Sequence, residues 1–180
     1  MQNYKNILIC GAGKSGISAA KLILHKQNTN IVIFDESNDK RIQEELNKTF
    51  GTKAKLHLGN HTIPEEPFDL AIISPGFSTK GEIIKQIINK QIPYISELEF
   101  GWQFLKEKSK IIAVTGSNGK STLAKLCWHI LNEAGIKSGI GGNYGTAACQ
   151  LAIEKTNEKV FILEVSSFQL ETCLLYTSDA

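Results

Sequence analysis

Residues 6–16 of the 180-residue chain read NILICGAGKSG, a short apolar run followed at once by closely spaced glycines. The run Asn6–Cys10 has the length and composition of a buried β-strand. The GAGKSG segment at 11–16 fits the G-x-G-x-x-G pattern, whose glycines let the backbone approach a phosphate group at the start of a helix. The stretch therefore predicts a strand, a phosphate-binding loop and a helix, in that order.

Beyond this loop, strand-like and helix-like segments alternate as far as residue 96. The predicted strands are 30–34, 55–58, 70–74 and 93–96, and the predicted helices are 15–27, 39–50 and 81–89. The helix at 81–89 carries one predicted apolar face, formed by Ile83, Ile84, Ile87 and Ile88. Such alternation is typical of a parallel sheet covered by helices. We expect residues 1–97 to form a Rossmann-like α/β domain.

A second α/β series occupies the rest of the chain. Its predicted strands are 111–115, 137–140 and 159–165, and its predicted helices are 97–106, 121–134 and 146–153. The IIAVT run at 111–115 has the composition of a buried strand. Because three strands make a small sheet, we expect residues 98–180 to be an incomplete domain. We therefore expect the chain to be the front piece of a longer protein, and its end, CLLYTSDA at 173–180, to be foreign to the native gene.

The loop of this second series reads TGSNGKST at 115–122. Its GKS matches the end of the phosphate-loop pattern G-x-x-x-x-G-K-[ST], whereas Thr115 stands where the first glycine is expected. In such a loop, successive backbone N–H groups cradle phosphates, a lysine supplies a cation and a hydroxyl binds Mg²⁺. The predicted ATP-binding residues are Gly116, Ser117, Asn118, Gly119, Lys120, Ser121 and Thr122. Lys120 is the candidate catalytic residue, and the second series is predicted to be of the P-loop type.

An acidic residue ends the last predicted strand. Glu164 lies in KVFILEV at 159–165, a run that is apolar except near its ends. A carboxylate at the end of a buried strand is costly unless it is paired or bound to a metal. An acid at a strand end opposite a phosphate loop is a usual second ligand of Mg²⁺. We therefore predict that Ser121 and Glu164 hold the metal.

The first loop has its own acidic companion. Asp35 ends the second predicted strand, 19 residues after Gly16, where it can accept hydrogen bonds from a ribose or a base edge. This pattern is usually interpreted as NAD binding, but neither the loop nor Asp35 distinguishes NAD from another nucleotide diphosphate. The Ser74-Pro75-Gly76 loop also follows a strand, so we expect it to face the first loop.

Composition and charge exclude several function classes. The formal net charge is +2, and Arg41 is the only arginine among 20 basic residues. Since arginine is preferred for reading phosphates and bases, we expect no nucleic-acid partner. No apolar run approaches the roughly 20 residues of a membrane span, and no signal peptide is visible. Cys10, Cys127, Cys149 and Cys173 form no CxxC pair, so we expect reduced thiols in a cytoplasmic protein.

Several segments together resemble the Mur ligases of peptidoglycan synthesis. They are TGSNGKST at 115–122, GGN at 141–143, LEVSSFQLE at 163–171, GAGKSG at 11–16, Asp35, Ser74-Pro75-Gly76 and SELE at 96–99. The SSFQLE at 166–171 and Asn118 resemble the members that add D-glutamate. The resemblance covers residues 4–172.

The resemblance implies an ATP-dependent synthesis of an amide bond. The γ-phosphate of ATP passes to the carboxylate of UDP-N-acetylmuramoyl-L-alanine, and the amine of D-glutamate attacks the resulting acyl phosphate. In this family the first domain binds the uridine diphosphate end of the substrate. The implied substrate residues are Lys14, Ser15, Asp35, Glu36 and Gly76, together with Asn143, Ser166 and Gln169 near the sugar, the pyrophosphate or the metal. The implied cofactors are ATP and Mg²⁺, and we expect a monomer.

Two other functions stay open from the residues alone: an NAD-binding oxidoreductase built on the first loop, and a nucleotide-binding module without catalysis. The first leaves the loop at 115–122 unexplained. The family also needs a metal-binding histidine downstream of LEVSSFQLE, and all four histidines of this chain precede Glu164. We therefore expect the 180 residues to bind nucleotide weakly and not to form the amide bond.

Overall fold

The computed structural model describes residues 4–26, 29–77, 81–143, 145–154, 157–166 and 169. The predicted foreign end at 173–180 and part of the LEVSSFQLE segment lie outside these residues. The chain divides into two compact units, Met1–Ser96 and Glu97–Ala180. The sequence predicted a boundary between two folding domains at residues 97 and 98, and that boundary stays a prediction.

The first unit is a parallel sheet of five strands flanked by helices. Its elements are β1 (Asn6–Cys10), α1 (Lys14–Lys26), β2 (Asn30–Asp35), α2 (Lys40–Phe50), β3 (Ala54–Leu58), β4 (Leu70–Ile73), α3 (Glu82–Asn89) and β5 (Tyr94–Ser96), with one 3₁₀ turn at Gly51–Lys53. The strand order is β3-β2-β1-β4-β5, and every neighbouring pair is parallel. The order reverses between β1 and β4, which opens a crevice at their carboxyl ends.

The core of this unit is built on the central strands. From Ile7 to Cys10, and along the whole of β4, the side chains are buried, as expected where helices cover both faces of a parallel sheet. In α3, Ile83, Ile84 and Ile87 are buried, but Ile88 is 53% exposed. The prediction of a four-isoleucine face was thus wrong for Ile88. At about 100° per residue it lies some 140° around the helix from Ile83, beyond the buried face.

The second unit is a parallel sheet of three strands. Its elements are α4 (Glu97–Leu105), β6 (Lys110–Val114), α5 (Lys120–Glu133), β7 (Ser138–Gly142), α6 (Ala148–Ile153) and β8 (Val160–Glu164). The strand order is β6-β8-β7, so the last strand lies between the other two. The predicted α/β class with two parallel sheets is confirmed.

The prediction that 111–115 is a buried strand was wrong. Of the residues of β6, only Val114 is buried, and Ile112 is 38% exposed. The neighbouring helix α5 likewise has Ala124 as its one buried residue, with Leu126 and Ile130 exposed. The physical reason is position: β6 is an edge strand, whereas the central strand β8 is buried throughout.

Two further findings concern the described residues as a whole. None of the helices among them is both long enough and apolar enough to cross a membrane. Cys10, Cys127 and Cys149 are free thiols.

Helices α4 and α6 of the second unit pack closely and share a buried carboxylate. A Cβ atom on Gly101 would lie 2.5 Å from the carbonyl carbon of Ala148, so only glycine allows this approach. Glu97 is 1% exposed, and its Oε1 accepts a hydrogen bond of 2.7 Å from the backbone N–H of Cys149. Burial raises the pKa of the Glu97 carboxyl, and the hydrogen bonds from Cys149 oppose that rise.

The raised pKa of Glu97 makes folding stability depend on pH. A folded-state pKa above the usual value of 4.5 means that its contribution to stability is fully present below pH 4.5 and is lost as the pH rises through the folded-state pKa. We expect Glu97→Gln to remove this loss. The free energy of unfolding of the variant, relative to that of the wild type, should rise by about 1.4 kcal/mol for each pH unit within that window.

The measurement is urea denaturation of both proteins at a series of pH values from 4 upward. The difference between the two stabilities isolates residue 97, because all other carboxyls are shared. The thiol of Cys149, which contacts Glu97, has a pKa raised by burial and by Glu97, so it stays protonated in this range. Two parallel curves would contradict the prediction.

Candidate functional site

The first glycine loop connects β1 to α1 at the reversal of strand order. Gly11 has a φ of +114°, and its N–H donates to the carbonyl of Phe34 on β2 at 2.8 Å. A Cβ atom at Gly11 would lie 2.6 Å from both Cβ and Oγ of Ser74, the first residue of the loop after β4. The two loops therefore lie against each other, as expected from the strand ends that precede them.

Asp35 is tied to the glycine loop by its side chain. Its Oδ2 accepts the backbone N–H of Ala12 at 2.7 Å, and its Oδ1 accepts the N–H of Ser37 at 2.8 Å. The carboxylate thus holds two loops in place, a function that sequence reasoning missed because the contact with Ala12 spans 23 positions. Its part in ligand binding stays a prediction.

The other predicted substrate residues of the first unit also follow the carboxyl ends of strands. Lys14 and Ser15 open α1 behind β1, Glu36 follows β2, and Gly76 follows β4. Glu36 is exposed, and its Oε1 lies 3.0 Å from Nδ1 of His61. The structure places all four at the edge where a ligand of an open parallel sheet is expected, and their individual roles stay predictions.

The third glycine of the motif, Gly16, allows a close backbone contact, whereas the second, Gly13, makes no such contact. A Cβ atom at Gly16 would lie 1.8 Å from the carbonyl oxygen of Gly11, whereas one at Gly13 would meet nothing within 4 Å. We expect Gly16→Ala to lower the free energy of unfolding by about 1–3 kcal/mol, the usual cost of overpacking, and to distort the loop. Gly13→Ala should stay within about 0.5 kcal/mol of the wild type.

Thermal and urea denaturation of the two alanine variants check this prediction. Both variants add the same methyl group within the same glycine motif, at Gly13 before α1 and at Gly16 in its first turn, so a loss of stability confined to Gly16→Ala reports the contact with Gly11. Equal stabilities would show that the turn can relax and that close approach is not what Gly16 provides.

The second glycine loop connects β6 to α5. Gly116 and Gly119 have φ values of +138° and +76°, a backbone region that favours glycine. The Nζ of Lys120 donates to the carbonyls of Gly116 at 2.8 Å and Ser117 at 3.2 Å, so the cation lies over its own loop. The remaining predicted ATP-binding residues lie along this exposed turn and the first turn of α5: Asn118, Ser121 and Thr122. Their roles stay predictions.

The end of β8 brings a carboxylate to the start of α5. The hydroxyl of Ser121 donates to Oε2 of Glu164 at 2.6 Å, and Glu164 is only 4% exposed. The parallel register explains the proximity, because Val114 is paired with Glu164 and the loop begins directly after Val114. Asn143 completes the group: its backbone N–H donates to the carbonyl of Glu164 at 2.8 Å, and its Nδ2 lies 3.5 Å from Oε1.

The donor atoms of this group fit Mg²⁺. A carboxylate and a hydroxyl are hard oxygen ligands, and magnesium usually takes one or two carboxylates together with phosphate oxygens and water. Across the described part of the chain, no group of three or more histidine, cysteine, aspartate or glutamate side chains could hold a metal. Ser121 and Glu164 could supply two of the oxygen ligands of such an ion, beside phosphate oxygens and water.

Ser166 and Gln169, which follow β8, are joined by hydrogen bonds. The carbonyl Oε1 of Gln169 accepts from both the backbone N–H and the hydroxyl of Ser166, at 2.9 and 3.0 Å. The backbone N–H of Gln169 in turn donates to the Ser166 hydroxyl at 3.2 Å. The two predicted substrate residues thus stabilise each other's positions, and whether they contact substrate stays a prediction.

Comparisons with known proteins match both units. Residues 5–96 match the family model described as Mur ligase MurD-like, N-terminal domain, and residues 114–178 match the Mur ligase middle domain. The first match alone spans more than half of the chain.

Curated relatives are similar along nearly the whole chain. A UDP-N-acetylmuramoylalanine–D-glutamate ligase of Lawsonia intracellularis is 37% identical, over 98% of this chain and 39% of the relative. Proteins of the same name from Koribacter versatilis and Pasteurella multocida are 36% and 39% identical, over 93% and 94% of this chain. The chain spans 37% and 38% of those two proteins, so it corresponds to less than two-fifths of the relatives it matches.

A solved structure adds a likeness of fold. The UDP-N-acetylmuramate:L-alanyl-gamma-D-glutamyl-meso-diaminopimelate ligase of Neisseria meningitides gives a TM-score of 0.52 at 18% identity, over 91% of this chain and 55% of that one. At this identity the likeness concerns the fold alone. From the two family models and the relatives together, the chain belongs to the Mur ligase family.

Proposed function

We propose that this chain is part of an ATP-dependent ligase that forms an amide bond between UDP-N-acetylmuramoyl-L-alanine and D-glutamate. The observation that carries the proposal is the hydrogen bond of 2.6 Å between the Ser121 hydroxyl and the buried Glu164 carboxylate, directly beside a GKS loop. The names of the curated relatives supply the substrates. The proposal includes a monomeric cytoplasmic protein without a nucleic-acid or membrane partner.

The second unit would hold Mg–ATP. In a loop of this kind the backbone N–H groups, here those of residues 116–122, are suited to binding an anion. Lys120 can turn from the carbonyls of Gly116 and Ser117 to the phosphates. Bound Mg²⁺ would neutralise part of the phosphate charge during phosphoryl transfer. Ser121 and Glu164 are the residues that would hold it, since they present hard oxygens side by side.

The first unit would hold the uridine diphosphate end of the substrate. The backbone N–H of Ala12, which a pyrophosphate oxygen could otherwise accept, already donates to the Asp35 carboxylate. A carboxylate in this place repels a second anion, which favours a nucleoside over a pyrophosphate at this point of the loop for uridine diphosphate and NAD alike. The choice of uridine diphosphate rests on the names of the relatives. We propose Lys14, Ser15, Glu36 and Gly76 as the remaining contacts of the first unit with this end of the substrate. In the second unit, we propose Asn143, Ser166 and Gln169 as residues near the sugar, the pyrophosphate or the metal.

Thermal denaturation with separate ligands tests the proposal. A ligand that binds only the folded state raises the melting temperature, and the stabilisation grows with the logarithm of the ligand's excess over Kd. We expect stabilisation by UDP-N-acetylmuramoyl-L-alanine and by Mg–ATP, and none by NAD. Stabilisation by NAD instead would favour the oxidoreductase, and stabilisation by neither substrate would contradict the proposal.

A further inference from the structure

Helix α6 begins without a capping side chain of its own. Its N-cap residue, Ala147, makes no side-chain hydrogen bond, so the first N–H groups of the helix need another acceptor. Glu97, on α4, provides one, since its Oε1 accepts the N–H of Cys149 at 2.7 Å. The contact is doubled by the Cys149 thiol, whose Sγ lies 3.4 Å from the Glu97 carbonyl.

The loop that leads into α6 is the one that reaches Glu164. Its first residue after β7, Asn143, donates its backbone N–H to the carbonyl of Glu164, and Gly142 donates to the carbonyl of Thr146 at 2.9 Å. The backbones are close enough that a Cβ atom at Gly142 would lie 2.4 Å from the Glu164 carbonyl oxygen. Asn143 is therefore held by Glu164, and the start of α6 is held by Glu97.

Packing alone does not account for a glutamate at position 97. A buried carboxylate loses hydration, and an apolar side chain of similar volume would fill the same space at less cost. What an apolar side chain cannot do is accept the N–H of Cys149. The carboxylate therefore stabilises one particular position of α6.

We propose that Glu97 is a positioning residue for the Mg–ATP site, because it fixes the start of α6 and thereby the loop through which Asn143 contacts Glu164. The inference rests on the proposed function, in which Glu164 holds the metal. The hydrogen bonds that the structure gives for Glu97 are with Cys149, so we assign it a positioning role and not a catalytic one.

The test compares three variants of the full chain. Glu97→Met keeps the length of the side chain but removes the acceptor, Glu97→Gln keeps a carbonyl acceptor, and Leu105→Ala disturbs the packing of the same helix without touching this contact. The Kd of Mg–ATP is measured by calorimetry, with and without Mg²⁺, well below the melting temperatures. We expect Glu97→Met to weaken Mg–ATP binding about tenfold, the low end for loss of a residue that orients a metal ligand. Glu97→Gln and Leu105→Ala should bind within about twofold of the wild type.

Each outcome decides something. Unchanged affinity in Glu97→Met, or an equal loss in Leu105→Ala, would overturn the positioning role while leaving the proposed function intact. A wild type that binds no Mg–ATP would overturn the proposed function and the inference with it. A measurement on the wild type needs no variant: adding Mg–ATP should slow amide hydrogen exchange at Cys149 together with Asn143, and protection of Asn143 alone would contradict the coupling.

Discussion

Replacing Lys120 by methionine is expected to weaken the binding of Mg–ATP by about a hundredfold. A hydrogen bond to a charged group contributes about 1.5–3 kcal/mol net, and Lys120 would make such bonds to the phosphates. The apo protein should lose little stability, because the carbonyls of Gly116 and Ser117, which Lys120 now contacts, lie in an exposed loop and can bind water.

Lys137→Met is the matched control. It removes the same charge from an exposed position after α5, so any general effect of net charge on nucleotide binding appears in both variants. Calorimetric titration with Mg–ATP gives the two dissociation constants, and denaturation gives the stabilities. Equal affinities in the two variants would show that the loop does not use Lys120 for phosphate, and the ATP site would have to be sought elsewhere.

The order and type of the elements could be predicted from local signals. The described helices and strands begin and end close to their predicted positions, as for the strand predicted at 30–34 and observed as Asn30–Asp35. Apolar runs of isoleucine, valine and leucine predict strands, and glycines after such a run mark the turn into a helix. These signals lie within a few residues of each other, so they can be read without knowledge of the rest of the fold.

The exposure of β6 could not be predicted in the same way. The run IIAVT has the composition of a buried strand whether its sheet has three strands or more. What decides burial is the place of the strand in the sheet, and β6 lies at the edge. Composition reports what a strand could bury, whereas neighbours decide what it does bury.

Contacts of high sequence separation explain what was missed at the candidate site. That Ser121 and Glu164 would meet was predictable, because Glu164 ends one strand of a parallel sheet and Ser121 follows the loop after its neighbour. Two other contacts were not predictable. Asp35 accepts the N–H of Ala12, 23 positions away, and Glu97 accepts that of Cys149, 52 positions away. In both cases a carboxylate satisfies a backbone donor near the start of a helix, and no local pattern names the partner.

Replacing Glu164 by glutamine is expected to remove most of the dependence of ATP binding on Mg²⁺. In the wild type, Mg²⁺ should strengthen ATP binding because a carboxylate and the Ser121 hydroxyl supply two of its oxygens. Glutamine keeps the shape and can still hydrogen-bond to Ser121, but an uncharged amide is a poor ligand for this ion. We expect the affinity for Mg–ATP to fall by about 10–100-fold, while the affinity for ATP without metal changes little.

Stability should move little in Glu164→Gln, which separates metal binding from folding. Glu164 is buried, and its oxygens contact Ser121 and Asn143. An amide at this position can accept from one neighbour and donate to the other, so the buried polar group stays paired. A change in the free energy of unfolding above about 2 kcal/mol would mean that the carboxylate is needed for folding. Weaker binding of Mg–ATP could then come from lost structure instead of a lost metal ligand.

Glu154→Gln is the matched control for the loss of one carboxylate charge. It makes the same chemical change at the exposed end of α6, where Glu154 accepts a hydrogen bond from Gln150 at 3.1 Å. Calorimetric titrations with ATP at several Mg²⁺ concentrations should show an unchanged metal dependence in Glu154→Gln and a nearly flat one in Glu164→Gln. If the metal strengthened ATP binding equally in both variants, Glu164 would not be a metal ligand. The hydrogen bond from Ser121 would then be a structural contact at the end of β8, one that holds the start of α5 against the sheet.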